Sequence, residues 1–183
     1  SFIYTSFQEI ATRISHLNVG NIALESGATR LSNISRKVAG DENRHARAYK
    51  LFISKILDVD TSEAVIAFQE MMKKKIIMPA MYMRERGKQV GATFKKFEVI
   101  ANRTGVYTPW HYVEIIENLV EDWDIQHRTG LTPAAEKAQE YLCTLADRYK
   151  KLIERMKQPA EVEAVQFSWI SPAQIKGTAT VSM

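Results

Sequence analysis

The sequence predicts an all-α fold, and three observations carry that reading. From Ser1 to about Ile100, apolar residues recur three and four positions apart, the spacing of an amphipathic helix. No alternating strand pattern interrupts that stretch. Only 8 Gly and 5 Pro occur in 183 residues, and three of the prolines (Pro133, Pro159, Pro172) fall after residue 130.

The elements follow in order. A first helix runs from about Ile3 to the mid-twenties, where Glu25-Ser26-Gly27 breaks it. A second runs from Thr29 to Leu57, with Ile34, Val38, Ala48, Tyr49, Phe52 and Ile56 along one side; Leu51 and Phe52 are expected in the core. Asp58-Val59-Asp60-Thr61 is a turn, and Thr61 or Ser62 can cap a third helix from Glu63 to Met78. Pro79 stops or kinks that helix, and Met81 to Lys88 is a candidate continuation. Ala92 to Thr104 forms a short helix closed by Gly105. Thr108-Pro109-Trp110 has the grammar of a helix start, opening Trp110 to His127, and Thr132-Pro133 repeats it for Ala134 to Met156. Past Gln158 the residues from Glu161 to Phe167 alternate, which suggests a hairpin or an irregular tail. The domain reading is therefore a helical body over 1–158 and a tail over 159–183 that packs on it.

Composition excludes several classes. Hydrophobic residues make up 45% and charged residues 25%, the balance of a globular protein. The net charge of +4 is mild, and no basic run exceeds Lys73-Lys74-Lys75, so nucleic-acid binding has little support. One cysteine, Cys143, rules out an internal disulfide framework and a multi-cysteine zinc site. No apolar run approaches the roughly 18 residues a membrane span needs. Ser1-Phe2-Ile3-Tyr4 has neither an initiator Met nor the basic start of a signal peptide, so the sequence reads as one entered midway.

The densest chemistry is Asp41-Glu42-Asn43-Arg44-His45. Glu42 and His45, three apart, leave one face of a helix together. Di-iron carboxylate bundles take such a Glu-x-x-His from two of their four helices and a Glu from each of the others. Glu9, in the otherwise apolar first helix, is the candidate for the lone Glu. The midpoint between Glu9 and Glu42 falls at the Glu25-Ser26 break, so in an antiparallel hairpin both lie about 24 Å from the turn, at 1.5 Å per residue. Two carboxylates and one imidazole at one level suit iron or manganese. A single Glu-x-x-His is by itself a weak signal, since such pairs are commonly solvated. His16, two turns after Glu9, reads as a supporting or core histidine. His111 and His127 have no spaced carboxylate partner on an apolar face and read as surface or interhelical residues.

At these residues the chain resembles the soluble acyl-acyl-carrier-protein desaturases, of the stearoyl 9-desaturase type. The resemblance lies in Phe2-Ile3-Tyr4-Thr5-Ser6-Phe7-Gln8-Glu9 with Ala11-Thr12 and Ile14-Ser15-His16, and in Asp41-Glu42-Asn43-Arg44-His45. It continues through Met71-Met72, Lys74-Lys75-Ile76, Met78-Pro79-Ala80 and Gly105-Val106-Tyr107-Thr108. Thr129-Gly130-Leu131, Lys137-Ala138-Gln139 and Phe167-Ser168-Trp169-Ile170 complete a collinear match across nearly the whole chain.

The resemblance implies a ferritin-like bundle with a di-iron centre that uses dioxygen and two electrons from reduced ferredoxin. It implies a cis double bond placed in a saturated acyl chain, typically stearoyl, held on acyl carrier protein. Glu9, Glu42 and His45 match iron ligands. Thr12 matches a threonine linked to oxygen activation, and Asp41 an acidic residue associated with the electron path. The plain alternatives are a helix hydroxyl on a preceding carbonyl for Thr12, and a solvated charge or a salt bridge with Arg44 or Arg47 for Asp41. The family further implies a homodimer, in the cytoplasm if bacterial and the plastid stroma if from a plant.

One departure is large. Glu117-Asn118-Leu119-Val120 and Glu136-Lys137-Ala138-Gln139 lack the histidine of a second Glu-x-x-His. The chain thus reads as the carboxyl-terminal half of such an enzyme, supplying about half the ligands and needing an amino-terminal half for the rest. Two copies about a two-fold axis would also make up the number. The alternative is a truncated, non-catalytic helical relative that binds metal or acyl carrier protein. Basic clusters at Lys73-Lys74-Lys75, Arg84 with Arg86 and Lys88, and Lys95-Lys96 would suit an acidic carrier or simply be solvated faces. Met71, Met72, Met78, Met81 and Met83 would line an acyl channel or pack in the core.

Overall fold

The computed structural model describes residues 1–74, 76, 79–87, 89–156 and 167. Among them it contains helices and turns and no strand, an all-α bundle as expected. The helices are α1 (Phe2–Glu25), α2 (Thr29–Val59), α3 (Thr61–Lys73), α4 (Ala92–Arg103), α5 (Pro109–Asp122) and α6 (Pro133–Arg155), with 3₁₀ turns at Pro79–Tyr82 and Ile125–His127. The expected tail lies outside the described residues apart from Phe167, whose ring sits 5.0 Å from that of Phe97 on α4.

Local chemistry sets most boundaries. Thr108 caps α5: its hydroxyl accepts the His111 N–H, and the His111 Nδ1 accepts the Thr108 N–H at 3.0 Å. Thr132 caps α6 by accepting the Ala135 N–H, and a proline follows each cap. α3 is capped by Asp60 rather than Thr61 or Ser62, because Asp60 Oδ1 accepts the Glu63 N–H at 3.1 Å. Thr61 instead donates to the Leu57 carbonyl, and the Ser62 hydroxyl accepts the Thr132 N–H, tying α3 to the start of α6. α3 ends at Lys73, short of the expected Met78. α5 ends at Asp122, short of the expected His127; Asp124 turns left-handed at φ 48° and the chain re-enters a 3₁₀ turn.

α1 and α2 form a long antiparallel hairpin against which α5 and α3 lie, with α6 on the outer side of those two. One core joins them. It takes Phe7, Ile10 and Ile14 from α1, Ile53 and Leu57 from α2, Phe68 and Met72 from α3, Ile116 and Leu119 from α5, and Leu142 from α6. Trp123 is its largest buried side chain. Its ring stands edge-on to Phe68 at 5.0 Å, and its indole N–H donates to the Lys50 carbonyl at 3.2 Å, locking α5 to α2 and α3.

The face of α2 that is buried is not the apolar stripe expected from its sequence. Its small residues Ser32, Ser35, Ala39 and Ala46 face α1, joined further on by Ile53 and Leu57. Leu51, Phe52, Ile34 and Ile56 are exposed at 62%, 48%, 54% and 41%. The physical reason is reach: small side chains let two long helices approach closely along most of their length, and the bulkier stripe then points away. Phe52 still stacks on Phe2, with ring centroids 5.5 Å apart.

Candidate metal centre

The hairpin sets the depth of every residue along it. Gly27, at φ 76°, takes the left-handed conformation after α1, and the Ala28 N–H closes back onto the Ala23 carbonyl at 2.7 Å. From this tight turn α1 and α2 run back side by side. Glu9 and Glu42 therefore come to face each other across the hairpin, one on each helix, with His45 one turn beyond Glu42.

Their donor atoms converge. One carboxylate oxygen each from Glu9 and Glu42 and one His45 ring nitrogen all lie within 4.8 Å of one another. His45 Nδ1 is 3.3 Å from Glu9 Oε2 and 3.4 Å from Glu42 Oε2, so the imidazole straddles the two acids. The carboxylates are mostly buried, with 19% of each side chain exposed, while the imidazole is 57% exposed. Burial raises the Glu9 pKa above the usual carboxylate value, the neighbouring Glu42 raises it further, and His45 partly offsets both. Two largely buried carboxylates facing each other beside one imidazole form a donor set that a divalent cation would satisfy.

The other expected residues sit nearby in plainer roles. The Thr12 hydroxyl donates to the Gln8 carbonyl at 3.0 Å and contacts that of Glu9 at 3.1 Å, the helix back-bond of the plain alternative. Asp41 is exposed and pairs with Arg44. His16 is half-buried on α1. His111 works as a helix cap, a role that the spacing Thr108-x-x-His111 could have signalled. His127 does have a carboxylate partner, Asp124 at 2.6 Å, but both are well exposed rather than on an apolar face.

Of the methionines, Met72 is buried in the core, Met71 packs against it, and Met81 and Met83 are exposed at 39% and 53%. Lys73 pairs with Glu70 and lies over the Tyr141 ring. No described helix is long and apolar enough to cross a membrane.

Comparison with known proteins gives this geometry a setting. The profile of the fatty acid desaturase family matches residues 1–171. The stearoyl-[acyl-carrier-protein] 9-desaturase of Gossypium hirsutum, a chloroplastic protein, is 43% identical over 177 residues, covering 96% of this chain and 44% of its own. The palmitoyl-[acyl-carrier-protein] 4-desaturase of Coriandrum sativum is 43% identical over 176 residues, with 95% and 45% covered. The acyl-[acyl-carrier-protein] desaturase of Cucumis sativus is 44% identical, with 96% and 44% covered. The chain spans a little under half the length of these relatives.

Proposed function

The chain belongs to the fatty acid desaturase family, and from that premise we propose that it serves in the oxygen-dependent desaturation of a saturated acyl chain carried on acyl carrier protein. The observation that carries the reading is the convergence of Glu9, Glu42 and His45 within 4.8 Å across the α1/α2 hairpin. Relatives named for stearoyl and for palmitoyl chains match at the same 43%. The proposal therefore covers the class of acyl-carrier substrates, with stearoyl tested first.

Glu9, Glu42 and His45 would hold their side of a pair of iron ions. When bound, that pair would supply, with dioxygen and two electrons from reduced ferredoxin, the oxidising power to remove two hydrogens from unactivated methylenes. The chain's own residues prepare the site. Glu9, whose pKa burial raises, must be deprotonated for both carboxylates to ligate. His45 presents a ring nitrogen between them. Thr12, three residues after Glu9, would turn its hydroxyl from the Gln8 carbonyl toward the site, and Asp41, next to Glu42 in the chain and paired with Arg44 at the surface, would take the acidic place on the electron path.

Three donors make half of a four-helix set. The remaining Glu and Glu-x-x-His come from outside these 183 residues, from an amino-terminal half in the same enzyme, and the intact enzyme is a homodimer. It works in the plastid stroma if the source is a plant and in the cytoplasm if bacterial. The single Glu-x-x-His also favours a second reading, a non-catalytic helical relative that binds metal or acyl carrier protein.

Iron per chain and gas chromatography of fatty acids released from stearoyl- and palmitoyl-carrier protein, with ferredoxin and its reductase, test both. Iron and an unsaturated product from the chain joined to a matching amino-terminal half support the enzyme. Iron without product supports the second reading. Neither iron nor product overturns the metal assignment.

A further inference from the structure

We propose that the junction of α1, α2 and α5 is a binding site for a tetrahedral oxyanion of the phosphate class, separate from the metal centre. A cleft of about 210 Å³ opens there, walled by Arg13, Asn43, Arg47, Lys50, Asn118 and Asp122. None of Glu9, Glu42 or His45 lines it.

Charge is the first argument. Three cations face one carboxylate, and that carboxylate is already taken, since Lys50 Nζ lies 2.6 Å from Asp122 Oδ2. Arg13 and Arg47 have no carboxylate within ion-pair distance among the described residues. The cleft therefore holds two guanidinium groups whose charge nothing in it balances.

Geometry is the second. Side chains on a helix lean toward its amino terminus. α1 and α2 are antiparallel, so Arg13 leans back toward Ile10 while Arg47 leans the opposite way toward Asn43, and both reach one cleft. A guanidinium presents a planar fork of donors that matches the oxygens of a tetrahedral anion. Asn43 on α2 and Asn118 on α5 add amide donors.

The third argument is room and rigidity. The floor is Ile10 and Ala46, 5% and 3% exposed, and the small Ala46 leaves the space above it unfilled. At roughly 30 Å³ per water, the cleft accommodates an oxyanion with several waters. Its far wall is fixed by the Lys50–Asp122 pair and by the Trp123 indole on the Lys50 carbonyl. It is a pocket rather than a basic stripe, which favours a small anion over a nucleic acid.

The test is calorimetric titration of inorganic phosphate into chelator-treated, metal-free protein at constant ionic strength, so that iron cannot capture the anion. Saturable binding is expected, displaced by sulfate and much less by acetate. R13Q and R47Q should each weaken it about tenfold or more, the scale of one charge-assisted contact. K37Q, which removes an exposed cation of α2 outside the cleft, should leave it unchanged. If R13Q loses its helical circular dichroism, the exposed Arg47 carries the test. Absence of saturable binding, or equal binding by wild type, R13Q and R47Q, overturns the site whatever the outcome for iron.

Discussion

Glu9 stands between a carboxylate that opposes its charge and an imidazole that favours it, with burial on the side of the carboxylate. A carboxyl whose pKa is higher folded than unfolded contributes stability at acid pH and loses it as pH rises through the folded value. The unfolding free energy of the metal-free protein should therefore fall as pH climbs out of the carboxylate range. Glu9→Gln should flatten that fall and add about 1 kcal/mol at pH 7, the scale of the screened repulsion of two charges within 4.8 Å of each other. Urea denaturation over a pH series measures it. Iron reverses the sign, because ligation needs the deprotonated acids, so uptake should strengthen with pH and release protons. His45→Ala removes one of three donors from a largely exposed position. It should weaken iron binding at least about tenfold, by analogy with losses from outer contacts alone, while leaving the melting temperature of the metal-free protein nearly unchanged. Competition titration against a calibrated chelator checks the first, and a thermal melt the second.

The elements were legible where their signals are local. Thr108-Pro109 and Thr132-Pro133 announce α5 and α6 because a cap and a fixed φ act within one turn. The depth match of Glu9 and Glu42 was legible for a similar reason, since it needs only a rise per residue and a turn. The buried face of α2 was not. Apolar periodicity ranks its bulky stripe above its Ser and Ala face, yet burial follows whatever α1 can approach. α3 ends at Lys73, capped at Lys74, six residues before Pro79 and so earlier than a proline stop alone dictates. Close approach gives a direct prediction: Ala46→Leu, at a 3% exposed position against α1, should cost about 1–3 kcal/mol through overpacking. Ala48→Leu, half-buried on the same helix, should cost less than a third of that. Paired thermal melts compare them.

At the scale of the whole molecule, His45 shares its side of α2 with Val38 and Phe52, seven residues away in either direction, and Phe2 stands seven before Glu9. Phe2, Phe52, Ile34 and Ile56 leave much apolar surface in water around the three donors. Exposed apolar patches of this kind promote association. The chain alone should enhance the fluorescence of an apolar dye, sediment as more than a monomer, and hold fewer than two irons. Joining an amino-terminal half should reverse all three, whereas dye-silent monomers would remove the argument for a missing cover. The turn at Gly27 has a consequence for how such a hairpin tolerates change. It is the hinge of a folding ruler, and only marks at nearly matching distances from the hinge can meet. Seven residues added to one arm turn the donors by only about 20° but slide them some 10.5 Å apart. Seven added to both arms bring the marks together again. A pair of lengthened proteins, one lopsided and one symmetric, would thus differ in iron capture despite identical donors, and a lineage can drift in length here only by changing both arms at once.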